Sequence, residues 1–90
     1  MAKSRFNSPG QCYECGRYGW THPHHIFNGY GLRKKSDDDG LFVYLCFKCH
    51  DEIHRSKPKR IALKQLGQRT YEEQIGSHEQ YMKRYRVNYL

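Results

Sequence analysis

Two short cysteine pairs, Cys12-Tyr13-Glu14-Cys15 and Cys46-Phe47-Lys48-Cys49, stand thirty residues apart in a chain of 90. A two-residue gap lets the backbone turn tightly enough for both thiolates to reach one ion, and two such turns close a tetrahedral four-sulfur shell with no open position. The rival readings are a pair of disulfides or a redox C-x-x-C. They call for an exported chain or a βαβ pattern, and the sequence suggests neither. A structural zinc held by Cys12, Cys15, Cys46 and Cys49 is therefore expected, and it would hold the fold together without doing chemistry.

Five of the six histidines fall between residues 22 and 54, in the runs Thr21-His22-Pro23-His24-His25-Ile26 and Cys49-His50-Asp51-Glu52-Ile53-His54. On a helix, His50 and His54 lie one turn apart on one face, so both imidazoles can meet a single metal ion. On a strand, His24 and His25 point to opposite faces; one can join that ion, while the other faces elsewhere or reaches substrate beside it. Three histidine ligands leave coordination positions open for water or phosphate, the arrangement of a catalytic rather than a structural centre.

These groups need a scaffold to hold them. Strands are expected near Trp20–Phe27 and Leu41–Leu45, with a loop between them over Asn28–Gly40, judged by its Gly, Asn and Asp content. A helix starting near Cys46 should stop before Pro58, because the residue before a proline is pushed out of helical geometry. A second helix is expected from Lys59 to Ile75, with Leu63, Leu66, Thr70, Tyr71 and Ile75 on its buried face. Gly76 ends it. Ser77-His78-Glu79-Gln80 has the form of a capping box, and Tyr81, Met82, Tyr85 and Tyr89 follow at helical spacing. Three stretches result: a flexible basic tail (1–10), a zinc-framed core (11–55) and a basic helical extension packed on that core (56–90).

Composition narrows the function classes. Only 37% of the residues are apolar, and a core this thin supplies no more than about 3–5 kcal/mol, so a metal staple is needed. No apolar run approaches a membrane span, and no secretory signal is evident, so the expected setting is a reducing cytoplasm without membrane attachment. The net charge of +7 is split into +5 over residues 1–35, −4 over 36–54 and +6 over 55–90. Two basic flanks around a working centre suit a polyanionic partner. Arg33, Lys34 and Lys35 on one side, and Arg55, Lys57, Lys59 and Arg60 on the other, are the candidate phosphate contacts. No helix shows Arg, Asn and Gln spaced for reading bases, so low sequence specificity is expected. Trp20 and Phe27 flank the histidine strand and read as core rather than as stacking surfaces for bases.

The order C-x-x-C, His24-His25-Ile26-Phe27, a glycine-containing loop, an apolar strand, then Cys46-x-x-Cys49-His50-x-x-x-His54 resembles the HNH endonucleases. Their ββα-metal (His-Me finger) fold carries a frame of four zinc-bound cysteines. The likeness is closest to small phage-encoded HNH proteins, through His24-His25-Ile26-Phe27, Arg33-Lys34-Lys35-Ser36, Tyr44-Leu45-Cys46 and Asn88-Tyr89-Leu90, and it spans nearly the whole chain. It implies an α+β domain with C-terminal helices that hydrolyses DNA phosphodiesters, in the cytoplasm of a bacterial host if phage-encoded. His25 would be the general base. His24, His50 and His54 would hold a catalytic divalent metal, Mg²⁺, Mn²⁺, Ni²⁺ or Zn²⁺.

One position departs from that pattern. The middle asparagine of H-N-H falls on Leu41, which has no amide to tie down the loop carrying the base; Asp38, Asp39 or Asn28 are the expected substitutes. The alternative is a DNA-binding zinc module that has lost catalysis. A protein-binding zinc scaffold would explain the cysteines but not the histidines.

Overall fold

A computed structural model describes residues 2–90. The elements run β1 (His22–His25), α1 (Leu32–Asp38), β2 (Phe42–Leu45), α2 (Phe47–Arg55), α3 (Lys57–Gln74) and α4 (His78–Tyr85), an α+β arrangement around one two-stranded sheet. The strands pair antiparallel, with His22 opposite Leu45, Pro23 opposite Tyr44, His24 opposite Val43 and His25 opposite Phe42. A proline in so short a strand is tolerated for a local reason. The Tyr44 N–H donates to Asn7 Oδ1 (2.9 Å), and its carbonyl accepts from Tyr13 N (2.8 Å) and Asn7 Nδ2 (3.1 Å), so both backbone groups turn away from β1. Pro23 thus sits at a non-hydrogen-bonded pair, where its missing N–H is not needed.

Those bonds also correct the expectation of a flexible tail over residues 1–10, of which Met1 lies outside the described residues. The Asn7 side chain pairs with Tyr44 as a neighbouring strand would. Ser4 Oγ donates to the Phe42 carbonyl, and Arg5 N donates to Gly40 O at 3.0 Å. Phe6 packs against both halves of the core. The segment therefore protects the outer edge of β2. Gly40 is required by this strap: its φ is +73°, and a Cβ there would lie 2.6 Å from the Lys3 carbonyl oxygen.

Within the expected loop over Asn28–Gly40, Leu32–Asp38 is instead helix α1. Leu32, Arg33, Lys34 and Lys35 are all good helix formers, and Lys34 pairs with Asp38 one turn on (3.8 Å). The aspartates that argued for a loop instead end the helix.

Helices α2 and α3 are separated by Ser56 alone, whose side chain accepts from Lys59 N and caps α3, with Pro58 in the first turn where its missing N–H costs nothing. Ser77 and Gln80 form the capping box of α4: Gln80 N donates to Ser77 Oγ (3.1 Å) and Ser77 N to Gln80 Oε1 (2.8 Å). No helix among the described residues is long and apolar enough to cross a membrane.

The core has two parts. Cys12, Val43, Leu45, Cys49, Ile53 and Leu63 pack beneath the cysteine pairs, while Ile26, Phe27, Leu41, Tyr71, Tyr81 and Tyr85 join the sheet to α3 and α4. Phe27 is core as its position suggested, but Trp20 is 70% exposed. Trp20 precedes β1 on the outside of the first cysteine turn, where neither core cluster extends. The buried Gln68 binds Asn88 Oδ1 (2.8 Å) and accepts from Tyr89 N (2.7 Å), fastening the chain end to α3.

α3 packs against the segment just after β1 at Gly67, where a Cβ would lie 2.9 Å from both Ile26 Cγ2 and Phe27 Cε2. Both neighbours are buried and cannot swing aside. Gly67→Ala improves helix propensity by about 1 kcal/mol but overpacks the contact at a cost of roughly 1–3 kcal/mol, so we expect net destabilisation. Urea unfolding of the variant tests it; a rise in stability would show that α3 and the Ile26–Phe27 segment are not in close contact.

Candidate metal centres and the histidine cleft

Among the described residues, two clusters of metal-ligating side chains form, and α2 contributes to both. Cys12 and Cys15 lie in a tight turn closed by Cys12 N→Arg17 O and Gly16 N→Cys12 O, each 2.9 Å. Cys46 caps the N-terminus of α2 and Cys49 lies in its first turn, where the helix dipole favours negative sulfur. All four cysteines are free, and their sulfurs lie within 4.8 Å of one another. An ion with sulfur ligands at ~2.3 Å would separate them tetrahedrally by about 3.8 Å; Cys15 Sγ and Cys46 Sγ are 3.9 Å apart. The cluster can hold one structural metal ion.

Electrostatics agree. Burial alone raises the Cys12 thiol, but backbone hydrogen bonds from Cys15, Cys46 and Glu14, with one from the Cys15 side chain, outweigh it and bring the group down to about 6. Burial pushes Cys49 up, and hydrogen bonds among the sulfurs and repulsion from Cys12 add to it. Cys12 thus forms a thiolate readily, whereas Cys49 needs a cation to offset the charge already beside it.

The second cluster joins His24 of β1 to His50 and His54 of α2. Ring centroids are 5.3 Å apart for His24 and His50, 5.7 Å for His24 and His54 and 4.6 Å for His50 and His54. Their ligand nitrogens lie within 4.8 Å of one another. His24 is buried, and that burial, reinforced by the neighbouring His50, His54, His25 and Lys64, lowers it to about 4. His50 is lowered for the same first reason, with His54 and His22 adding to it. Both imidazoles are thus neutral near pH 7 and offer a lone pair rather than a charge.

His25 turns to the other face of β1, as strand periodicity requires. Its Nε2 meets Asp37 Oδ1 of α1 at 3.0 Å, and its ring lies against Phe42 with centroids 5.5 Å apart. It still borders the same cleft of about 250 Å³ as His22, Pro23, His24, Asn28, Arg33, His50 and His54.

Asp37 was not singled out by the sequence. Three adjacent aspartates at a helix end point about 100° apart and so reach different partners: Asp37 takes His25, Asp38 takes Lys34, and Asp39 takes Arg84 (2.7 and 3.1 Å) and Tyr85 (2.6 Å). Neither Asp38, Asp39 nor Asn28 ties the loop after β1. Ser36 does so. Its buried Oγ accepts from Phe27 N (3.2 Å) and donates to Leu41 O (2.5 Å), while Ile26 N also reaches Leu41 O (3.1 Å). Leu41 itself is core.

The basic residues divide. Arg33 lines the cleft. Lys35 turns away to donate to the Arg84 carbonyl (3.2 Å), Lys34 pairs with Asp38, Arg55 with Asp51 (3.3 Å) and Lys59 with Glu52 (3.5 Å). Arg60 Nη1 caps α2 through the carbonyls of Ile53 (3.1 Å) and His54 (2.6 Å), and with the unpredicted Lys64 it borders a recess beside His24 and His54. Lys57 opens α3. The basic side chains that lie beside the histidines are Arg33, Arg60 and Lys64. No protein-family model matches the chain, and no curated protein or solved structure matches it either.

Two outcomes follow for these centres. Elemental analysis of the purified protein should find one chelator-resistant metal per chain, and Cys46→Ser should lose it and unfold; an unchanged melting curve would remove the four-sulfur centre. Ser36→Ala should cost about 1–3 kcal/mol by orphaning the Phe27 N–H, and Leu41→Asn about 3 kcal/mol or more by burying an unpaired amide in the core. Equal stability of Leu41→Asn in chemical unfolding would show that the site has room for a polar residue.

Proposed function

We propose that the chain is a metal-dependent HNH-type endonuclease of ββα-metal fold, with zinc at the four cysteines, that hydrolyses DNA phosphodiesters with little sequence preference. The observation that supports this most is the sharing of one cleft by an open three-imidazole cluster and by a fourth histidine braced by a carboxylate. Closed metal sites in binding modules need neither feature.

The Asp37 carboxylate accepts from His25 Nε2–H, which leaves the Nδ1 lone pair as the proton acceptor. His25 takes a proton from the attacking water, and Asp37 stabilises the imidazolium that forms. His24, His50 and His54 would hold a divalent ion, which when bound would supply Lewis-acid chemistry at the phosphate and the leaving 3′ oxygen. Arg33, which lines the cleft, would neutralise and orient the phosphate. Ser36 supplies the loop tie that Leu41 cannot, which favours retained catalysis over the inactive DNA-binding module.

Supercoiled plasmid with added Mg²⁺, Mn²⁺ or Ni²⁺ should be nicked by the wild type. His25→Ala and His54→Ala should lose about a hundredfold or more with the fold intact, and Asp37→Asn about tenfold or more. A wild type inert with every ion, or His25→Ala cutting at the wild-type rate, would defeat the proposal.

A further inference from the structure

Beyond the histidine cleft, the surface carries an unusual aromatic recess. Tyr18, Trp20 and Phe47 are 78%, 70% and 78% exposed, and with Arg17, Gly19, Cys46 and Lys48 they line a space of about 380 Å³. Isolated exposed aromatics are ordinary, but three around one recess mark a binding surface. The walls are held from both sides by the cysteine cluster: Tyr18 and Trp20 follow Cys15 closely, and Phe47 stands between Cys46 and Cys49. Such rings lose little freedom when a ligand enters.

Two observations identify the occupant. The charged side chains lining the recess are Arg17 and Lys48, with no carboxylate among them, which suits a polyanion. The recess also lies beside the histidine cleft, linked to it through the ring of His22. Trp20 and His22 rings are 6.0 Å apart, and His22 and His50 rings 5.3 Å. Exposed rings combined with cations recognise unpaired nucleobases, whose faces are free to stack, whereas bases in intact duplex are already stacked on one another. We infer that Tyr18, Trp20 and Phe47 form a stacking subsite for unpaired DNA bases, so that a strand reaches the histidine cleft from single-stranded, gapped or frayed DNA. The link to cutting rests on the nuclease reading; the stacking subsite does not.

Trp20 is the only tryptophan, so its emission reports on the recess alone. Titrating the metal-loaded protein with an oligothymidylate, without added divalent ion, should quench that emission to saturation, and equal-length duplex should quench it far less. With a labelled oligothymidylate followed by anisotropy, Trp20→Ala and Phe47→Ala should each weaken binding by about tenfold, while circular dichroism and bound metal stay unchanged. Their duplex binding should shift less than twofold. Gapped duplex should be cut faster than intact duplex, and Trp20→Ala should remove the excess. No quenching at low salt, equal loss of duplex and single-strand binding in both variants, or a Trp20-dependent dimer in sedimentation would overturn the inference. Quenching without any cleavage would discard the nuclease reading alone, and cleavage without quenching would discard the stacking subsite alone.

Discussion

Helix α2 carries Cys46 and Cys49 at its start and His50 and His54 within the next turns, so whatever fixes the four sulfurs also aims the two imidazoles. Nine residues of helix are too short to be stable alone, and the apolar contacts of α2 come chiefly from Cys49 and Ile53. The cysteine cluster does what a larger core would otherwise do. An ion held there would clamp the start of α2 to the turn holding Cys12 and Cys15, and that turn is bonded through Tyr13 N to β2. The pairing of β2 with β1 then places His24 opposite the exposed face of α2.

The other half of the molecule braces β1 from behind. Tyr71, Tyr81 and Tyr85 pack on Ile26, Phe27 and Leu41, with the Phe27 and Tyr85 rings 4.3 Å apart. Asp39 links this half to α1 by accepting from Arg84 and Tyr85. Burial and the adjacent Asp39 carboxylate both push the Tyr85 phenol up, which keeps it a neutral donor. As α1 also carries Asp37 and Ser36, the C-terminal helix indirectly positions the partner of His25 and the tie on the loop that follows it.

A strand alternates its faces, and this simple rule separates two chemical jobs. His24 faces inward, where burial and neighbouring imidazoles keep it unprotonated. His25, one residue on, faces α1 and a carboxylate. Two adjacent residues of the same type thus acquire different partners without any irregularity in the backbone.

What could be read from the sequence was what depends on short spacing. The C-x-x-C pairs, the i, i+4 histidines on α2, the Ser77–Gln80 capping box and the apolar stripes of the C-terminal helices all follow from local geometry and recur in the structure. Features that depend on partners distant along the chain were not legible. Asn7 pairs with Tyr44 and Ser4 with Phe42, so a polar, glycine-containing segment expected to fray becomes an edge strap. Asp37 finds His25 twelve residues back, and nothing in a run of three aspartates says which of them will do so. Lys35 differs from Arg33 only in being spent on a backbone carbonyl, and Trp20 is exposed because the core ends short of it. Residue type and spacing therefore determined which groups were available for chemistry. Packing decided which of them face one another, because a hydrogen bond or ring contact depends on distances across the fold, not along the chain.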